Sequence, residues 1–312
     1  MDNSPHMHDH QRSTHGIIFA ASAFLFWGLT PLYYRPLDHV GAAEILTHRI
    51  IWTVVMIPLI LIALRQVGRV ASLFKSPKTI GLLCISGAMI VSNWFIFVWA
   101  VTHERVLETS LGYFINPFFS VLLGTLFLHE RLRPAQQVAV FLAAIGVLYL
   151  IFNHGSLPWV ALALPLLFGL YGLMRKKISV DPLGGLWIET AMVAPFAAMY
   201  AIYLWRTGES HFGAGHAQDT ALLLLGGPVT IIPLTLFAAA VRRINLSTIA
   251  FIQYLAPTLT FIVAVFIFHE AFGRAQLVTF SFIWLSLAIF TLDGLRFSRY
   301  SARQSEIPGT AE

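Results

Sequence analysis

The chain has 312 residues, 57% of them hydrophobic and only 11% Asp, Glu, Lys or Arg. A soluble protein of this length carries about twice that charge, so an aqueous globular domain is excluded. The net charge of +5 and the pI near 9.5 do not indicate nucleic acid, because the basic residues are dispersed among short loops and form no patch.

Residues 1–15 are polar and His-rich and lack the apolar core and cleavage pattern of a secretory signal. They are expected to form a disordered cytoplasmic tail, with His6, His8, His10 and Asp9 solvated rather than holding a metal. Apolar segments then follow at approximately 16–34, 45–64, 79–101, 106–128, 135–152, 157–174, 183–205, 219–241, 246–268 and 275–293, and residues 294–312 form a second cytoplasmic tail. Each segment suits a hydrocarbon core of about 30 Å. The apolar runs are continuous rather than alternating, which predicts helices and not barrel strands. The expected fold is an all-α integral membrane protein of ten transmembrane helices joined by short loops. The single Cys84 lies inside an apolar run and can form no internal disulfide.

Orientation follows from the basic residues. Alternate loops hold Arg12; Arg65, Arg69, Lys75 and Lys78; Arg131 and Arg133; Arg175, Lys176 and Lys177; Arg242 and Arg243; and Arg296, Arg299 and Arg303. The opposite set holds Arg35, Arg105, Arg206 and Arg274, with Arg49 just inside a helix. The positive-inside rule places both termini in the cytoplasm.

Residues 100–138 and 240–278 are two versions of one segment at a constant offset. Ala100-Val101 recurs as Ala240-Val241, Pro117 as Pro257, His129-Glu130 as His269-Glu270, and Ala135-Gln136 as Ala275-Gln276. Trp27-Gly28-Leu29 likewise resembles Phe168-Gly169-Leu170. The repeat divides the chain into five-helix domains at 16–152 and 157–293. An odd number of spans per copy makes the two copies enter the membrane from opposite sides, as an inverted repeat.

Polar groups inside membrane helices are costly and mark function by default. Pro117 and Pro257, with Pro228 and Pro233 in a second broken stretch, are expected to interrupt helices and free backbone carbonyls near Tyr113 and Gln253. Asn93, Trp94, Tyr113, Asn116, Gln253 and Tyr254 would then line a solute cavity. The competing reading makes Pro a packed kink and Asn93 and Trp94 interhelical packing groups. The costliest residues are Glu44, His48, Arg49 and Glu189. Glu44 and His48 share one helical face. Arg49 and Glu189 occupy related positions in the two copies, Arg49 toward the outer side and Glu189 toward the cytoplasm, and are not expected to pair. Glu189 is the candidate protonatable coupling group, set against a role in which it reaches the Arg175-Lys176-Lys177 loop. His129-Glu130 and His269-Glu270 lack the second His of a zinc helix and are expected to serve as caps and loop contacts. Neither a phosphate-binding Gly loop nor a nucleophile elbow is present, so ATP-driven transport by this chain alone is not expected. The expected cofactor is none and the expected metal none.

Several strings are specific. Glu44-Ile45-Leu46-Thr47-His48-Arg49, Ser110-Leu111-Gly112-Tyr113-Phe114-Ile115-Asn116-Pro117, Arg175-Lys176-Lys177-Ile178, Ile188-Glu189-Thr190 and Phe251-Ile252-Gln253-Tyr254 resemble RarD-type permeases, in the EamA branch of the drug/metabolite transporter superfamily. The resemblance runs from about Gly16 to Asp293. It implies a ten-helix fold in the bacterial inner membrane, two inverted five-helix repeats and a central cavity used for alternating access. It also implies small metabolites or drug-like molecules as solutes, commonly moved outward.

The expected function is therefore a secondary transporter of a small organic solute, an exporter and not an enzyme. Its expected partners are that solute, the lipid bilayer and protons as coupling ion, with self-association into a homo-oligomer left open. The rival readings are an intramembrane enzyme on lipid-linked substrates, for which mid-depth carboxylates are too few, and a non-transporting membrane subunit.

Overall fold

The structure is a computed structural model that describes residues 4–66, 68, 76–128, 132–154, 157–176, 178, 180–213, 215–241, 243–244 and 252–305. His129-Glu130, Arg131, Lys177, Arg242, Phe251, Arg69, Lys75 and the side chains of His6, His8, Asp9 and His10 lie outside the described part.

No strand occurs among the described residues. In chain order the helices are α1 Ser4–Tyr34, α2 Ala42–Ala63, α3 Pro77–Thr102, α4 Val106–Leu128, α5 Pro134–His154, α6 Trp159–Lys176, α7 Pro182–Thr207, α8 Ala217–Leu224, α9 Gly226–Val241, α10 Leu255–Ile262 and α11 Arg274–Ser305. A 3₁₀ turn Arg35–Leu37 follows α1, and a π-helical turn Val263–Ile267 follows α10. Seven candidate membrane spans are long and apolar enough among the described residues: Thr14–Leu37, Ala42–Ala63, Pro77–Thr102, Pro134–Asn153, Leu183–Thr207, Ala217–Ala240 and Arg274–Gly294. Trp159–Arg175 and Leu255–Ile267 are shorter apolar helices.

Among the described residues each expected segment meets a helix; the ninth does so as α10 and the π-helical turn, behind a turn at Gln253-Tyr254, its residues 246–251 lying outside the described part. Three further differences occur. Residues 4–15 continue α1 instead of forming a disordered tail, because Gly16 is no barrier to a helix already running and no Pro follows Pro5 until Pro31. Similarly, α11 extends past Asp293 to Ser305. The eighth segment is broken at Leu225 into α8 and α9, just before Gly226-Gly227-Pro228.

The prolines divide by position. Pro117 and Pro233 lie inside α4 and α9. Pro228 and Pro257 instead sit in the first turns of α9 and α10, where a missing N–H leaves no helical carbonyl unserved. The expected interruptions fall at the turns just ahead of these two prolines, at Leu225 before α9 and at Gln253-Tyr254 before α10, while the carbonyl of Gln253 is not left free but accepts the N–H of Ala256 at 3.2 Å. Pro31, Pro58, Pro165 and Pro195 are further interior prolines.

The helices cluster into two compact units. One comprises residues 1–116 and 160–270, the other residues 117–159 and 271–312. In the first, α2 packs on α7 and α9, α3 on α7, and α1 on α9 and α10. In the second, α5 packs on α11.

Helix directions reveal the sense of the repeat. α2 and α7 are equivalent helices of the two copies. Glu44, in the first turn of α2, bonds His211 just past the end of α7, whereas Val54 further along α2 accepts the indole N–H of Trp187 near the start of α7. They run antiparallel. In the second unit, Arg133 ahead of α5 pairs with Asp293 of α11 at 2.7 Å, and the carbonyl of Gly146 in α5 accepts the hydroxyl of Thr279 near the start of α11. These equivalent helices are antiparallel too, as an inverted repeat requires.

Close helix approach is built symmetrically. A Cβ on Gly87 of α3 would lie 3.0 Å from the Glu189 carbonyl on α7. At the equivalent Gly227 of α9 it would lie 3.0 Å from Trp52 on α2. Small residues let backbones meet where lipid supplies no hydrophobic drive between helices.

Candidate functional site

In the first unit, buried charges stand at equivalent places on helices α2 and α7. Arg49 is 8% exposed. Its Nε donates to the Thr230 hydroxyl on α9 at 2.7 Å, and its Nη1 donates to the Tyr34 hydroxyl at the end of α1 at 3.0 Å. The guanidinium carbon stands 4.1 Å from the ring centroid of Trp94 on α3, a cation–π contact strengthened by the dry surroundings. An aromatic row continues from there. Tyr34 packs on Tyr33 with ring centroids 4.7 Å apart and on Phe97 at 6.1 Å, and Phe97 packs on Tyr113 at 5.9 Å. Among the described residues no carboxylate pairs with Arg49, whose polar partners are neutral hydroxyls.

The second centre is Glu189, fully buried on α7. It accepts the Ser86 hydroxyl of α3 at 2.6 Å and the Tyr171 hydroxyl of α6 at 3.4 Å, and pairs with the Nη1 of Arg175 at 3.4 Å. Arg175 reaches it by lying across Gly185, where any side chain would collide with the guanidinium. Arg175, assigned from sequence to a cytoplasmic loop, is thus the last-turn residue of α6 folded back onto Glu189. Arg49 and Glu189 do not pair with each other. Their contacts on α3, Trp94 and Ser86, are separated by ~12 Å of helical rise.

Glu44 and His48 occupy one face of α2 and meet the connection after α7. Glu44 accepts Ser210 Oγ at 3.1 Å and His211 N at 2.8 Å, and lies 2.8 Å from His211 Nδ1. His48 stacks on Phe212 with centroids 4.6 Å apart, and its buried Nδ1 has no hydrogen-bond partner among the described residues.

The polar residues assigned to a solute cavity separate. Trp94 and Tyr113 join the Arg49 cluster. Asn93 donates to the carbonyl of Leu164 on α6 at 2.9 Å and is an interhelical tie. Asn116 is half-buried beside Pro117. Gln253 and Tyr254 form the turn leading into α10, where the Tyr254 carbonyl accepts the Thr258 N–H and hydroxyl. Sequence reading missed Tyr34, Thr230, Phe97, Ser86 and Tyr171. Ser86 and Tyr171 carried a signal, being polar within apolar runs. Tyr34 and Thr230 carried the same signal, but their meeting with Arg49 depends on three helices distant in sequence.

The EamA-like transporter family matches this chain twice, over residues 14–152 and 157–292. The chain belongs to that family. The protein RarD of Salmonella typhi is 43% identical over 93% of this chain and 99% of its own length. An uncharacterized transporter of Vibrio cholerae is 43% identical over 95% of this chain and 98% of its own. The chloramphenicol-sensitive protein RarD of Pseudomonas aeruginosa is 31% identical over 94% and 98%. A solved crystal structure superimposes with a TM-score of 0.59 at 18% identity, covering 90% of this chain and 99% of the other, and so shares its fold. The protein is therefore a multi-pass membrane transporter built from two EamA repeats.

Proposed function

We propose that this transporter is a secondary active exporter of small organic metabolites or drug-like solutes. It alternates access across the bacterial inner membrane, with ten spans and both termini in the cytoplasm. The observation that carries the reading is the pair of buried charges, Arg49 and Glu189, at equivalent places on two antiparallel helices. A scaffold subunit gains nothing from charges held inside membrane helices, whereas a carrier uses them to bind and to couple. Inverted repeats supply the two related conformations that alternating access needs.

Glu189 is the proton-coupling group in this proposal. Arg175, Ser86 and Tyr171 hold its carboxylate when charged, and a proton arriving there releases Arg175. Inclusion of drug-like solutes is supported by the likeness to the chloramphenicol-sensitive protein RarD of Pseudomonas aeruginosa.

The test is uptake into vesicles containing only this protein, with a metabolite and antibiotic mixture outside and a pH gradient imposed. At least one solute accumulates above protein-free vesicles and saturates, and a protonophore collapses the gain. Glu189→Gln abolishes the gradient-driven part. Accumulation in the variant with unchanged proton dependence removes Glu189 from the coupling role, and absence of saturable flux for all solutes rejects transport by this chain alone.

A further inference from the structure

Among the described residues no acid compensates the charge at Arg49. Two of its N–H groups are committed, to Thr230 and to Tyr34, and one face of the guanidinium is covered by Trp94. The remaining guanidinium N–H groups have no protein acceptor among the described residues. The neighbouring acids are already engaged, Glu44 by Ser210 and His211 and Glu189 by Arg175, Ser86 and Tyr171. The repeat sharpens the contrast, because Glu189 stands where Arg49 stands in the other copy and it does have a counter-ion. A buried ion without one is costly.

We propose that the missing counter-charge is the transported solute itself, a small organic anion with a carboxylate or sulfonate head and an aromatic or otherwise apolar body. The free edge of a planar guanidinium suits such a head, which can accept two parallel N–H bonds. Trp94 and the Thr230 and Tyr34 hydroxyls fix the plane of the guanidinium in advance, so little ordering is required on binding. The row Tyr33, Tyr34, Phe97 and Tyr113 offers ring faces and edges to the body. Tyr33 and Tyr113 are partly buried members of this row.

The inference rests on the transport reading and narrows its solute class. Its test uses the purified full-length protein in phosphatidylcholine nanodiscs. Melting temperature and tryptophan fluorescence are followed against benzoate, phenylacetate and indole-3-acetate, with their neutral amides and sodium chloride as comparisons. At least one carboxylate stabilises the protein while its amide and chloride do not. Arg49→Gln weakens that response at least tenfold in half-maximal concentration, and Arg49→Lys, which keeps the charge but not the planar fork, gives an intermediate loss. The Lys variant also serves if the Gln variant does not fold.

Equal stabilisation by acid and amide, no stabilisation by any of the three acids, an undiminished response in both variants, or full replacement of the carboxylate by chloride each overturns the proposal. Stabilisation by phosphatidylglycerol nanodiscs that depends on Arg49, without any effect of the acids, assigns the counter-charge to a lipid headgroup and overturns it as well. Arg49-dependent binding without flux in the vesicle assay defeats the transport reading alone. Saturable flux of neutral solutes that Arg49→Gln leaves intact defeats the anion proposal alone.

Discussion

Pro58 shows how a single residue sets a requirement that another helix answers. Its ring removes the N–H that the Val54 carbonyl would accept one turn earlier. The indole N–H of Trp187, on α7, donates to that carbonyl at 3.2 Å. Trp187→Phe leaves the carbonyl unserved and should cost about 1–3 kcal/mol, read as a lower melting temperature. In a Pro58→Ala background the helix serves Val54 itself, so the same Trp187 change should cost clearly less. Equal losses in both backgrounds rule the pairing out. At this scale the sequence discloses demands and not their solutions. Buried Arg49, Glu44 and Glu189 stand out because each is expensive in an apolar run. Their partners, Thr230, His211 and Ser86, are set by helix packing, and no linear pattern tells which charge each of them meets.

At the scale of elements, the expected segments were legible because each apolar run is long and continuous, and the prolines marked the neighbourhood of the breaks at Leu225 and Gln253-Tyr254 but not their exact place. Pro257 marks the interruption of its segment from the far side, standing in the first turn of α10 after the turn at Gln253-Tyr254. The His269-Glu270 pair gives a clearer case. Glu270 lies beyond the π-helical turn and receives the N–H groups of Val106 and Leu107, each at 2.7 Å, capping the start of α4. Burial pushes its carboxyl above the ordinary carboxylate range, while the two backbone bonds pull the other way. A raised value means that the folded protein holds this proton more tightly than the unfolded chain. The resulting stability is complete below the ordinary carboxylate range and is lost as pH climbs through the raised value. Glu270→Gln removes the titration along with part of the cap. Over about pH 4 to 7, the wild-type melting temperature should therefore fall relative to the variant. A difference that stays constant across this range excludes Glu270 as the titrating group.

For the whole molecule, the duplicated segment and its odd span count pointed to the inverted repeat, and the antiparallel courses of α2 against α7 and of α5 against α11 supply it. The proposed orientation predicts that reporter tags at both termini stay shielded in intact cells. In a Cys84→Ser background, a cysteine replacing Gly215 should react with an impermeant thiol reagent from outside, while one replacing Thr14 should not. Reversed labelling refutes the assignment drawn from basic loops. The candidate site was half legible for a general reason: burying charge is written in the residue type, and the choice of partner is written in the tertiary fold.

A cation lacking an acid beside it inside a bilayer responds to voltage. Moving one elementary charge through a potential of about 100 mV involves roughly 2.3 kcal/mol. Any reorientation that carries Arg49 along the membrane normal therefore draws current when the carrier returns empty, and far less when a bound anion cancels the charge. Electrophysiology on supported membranes would register that difference as a transient displacement current, present without solute and suppressed at saturation.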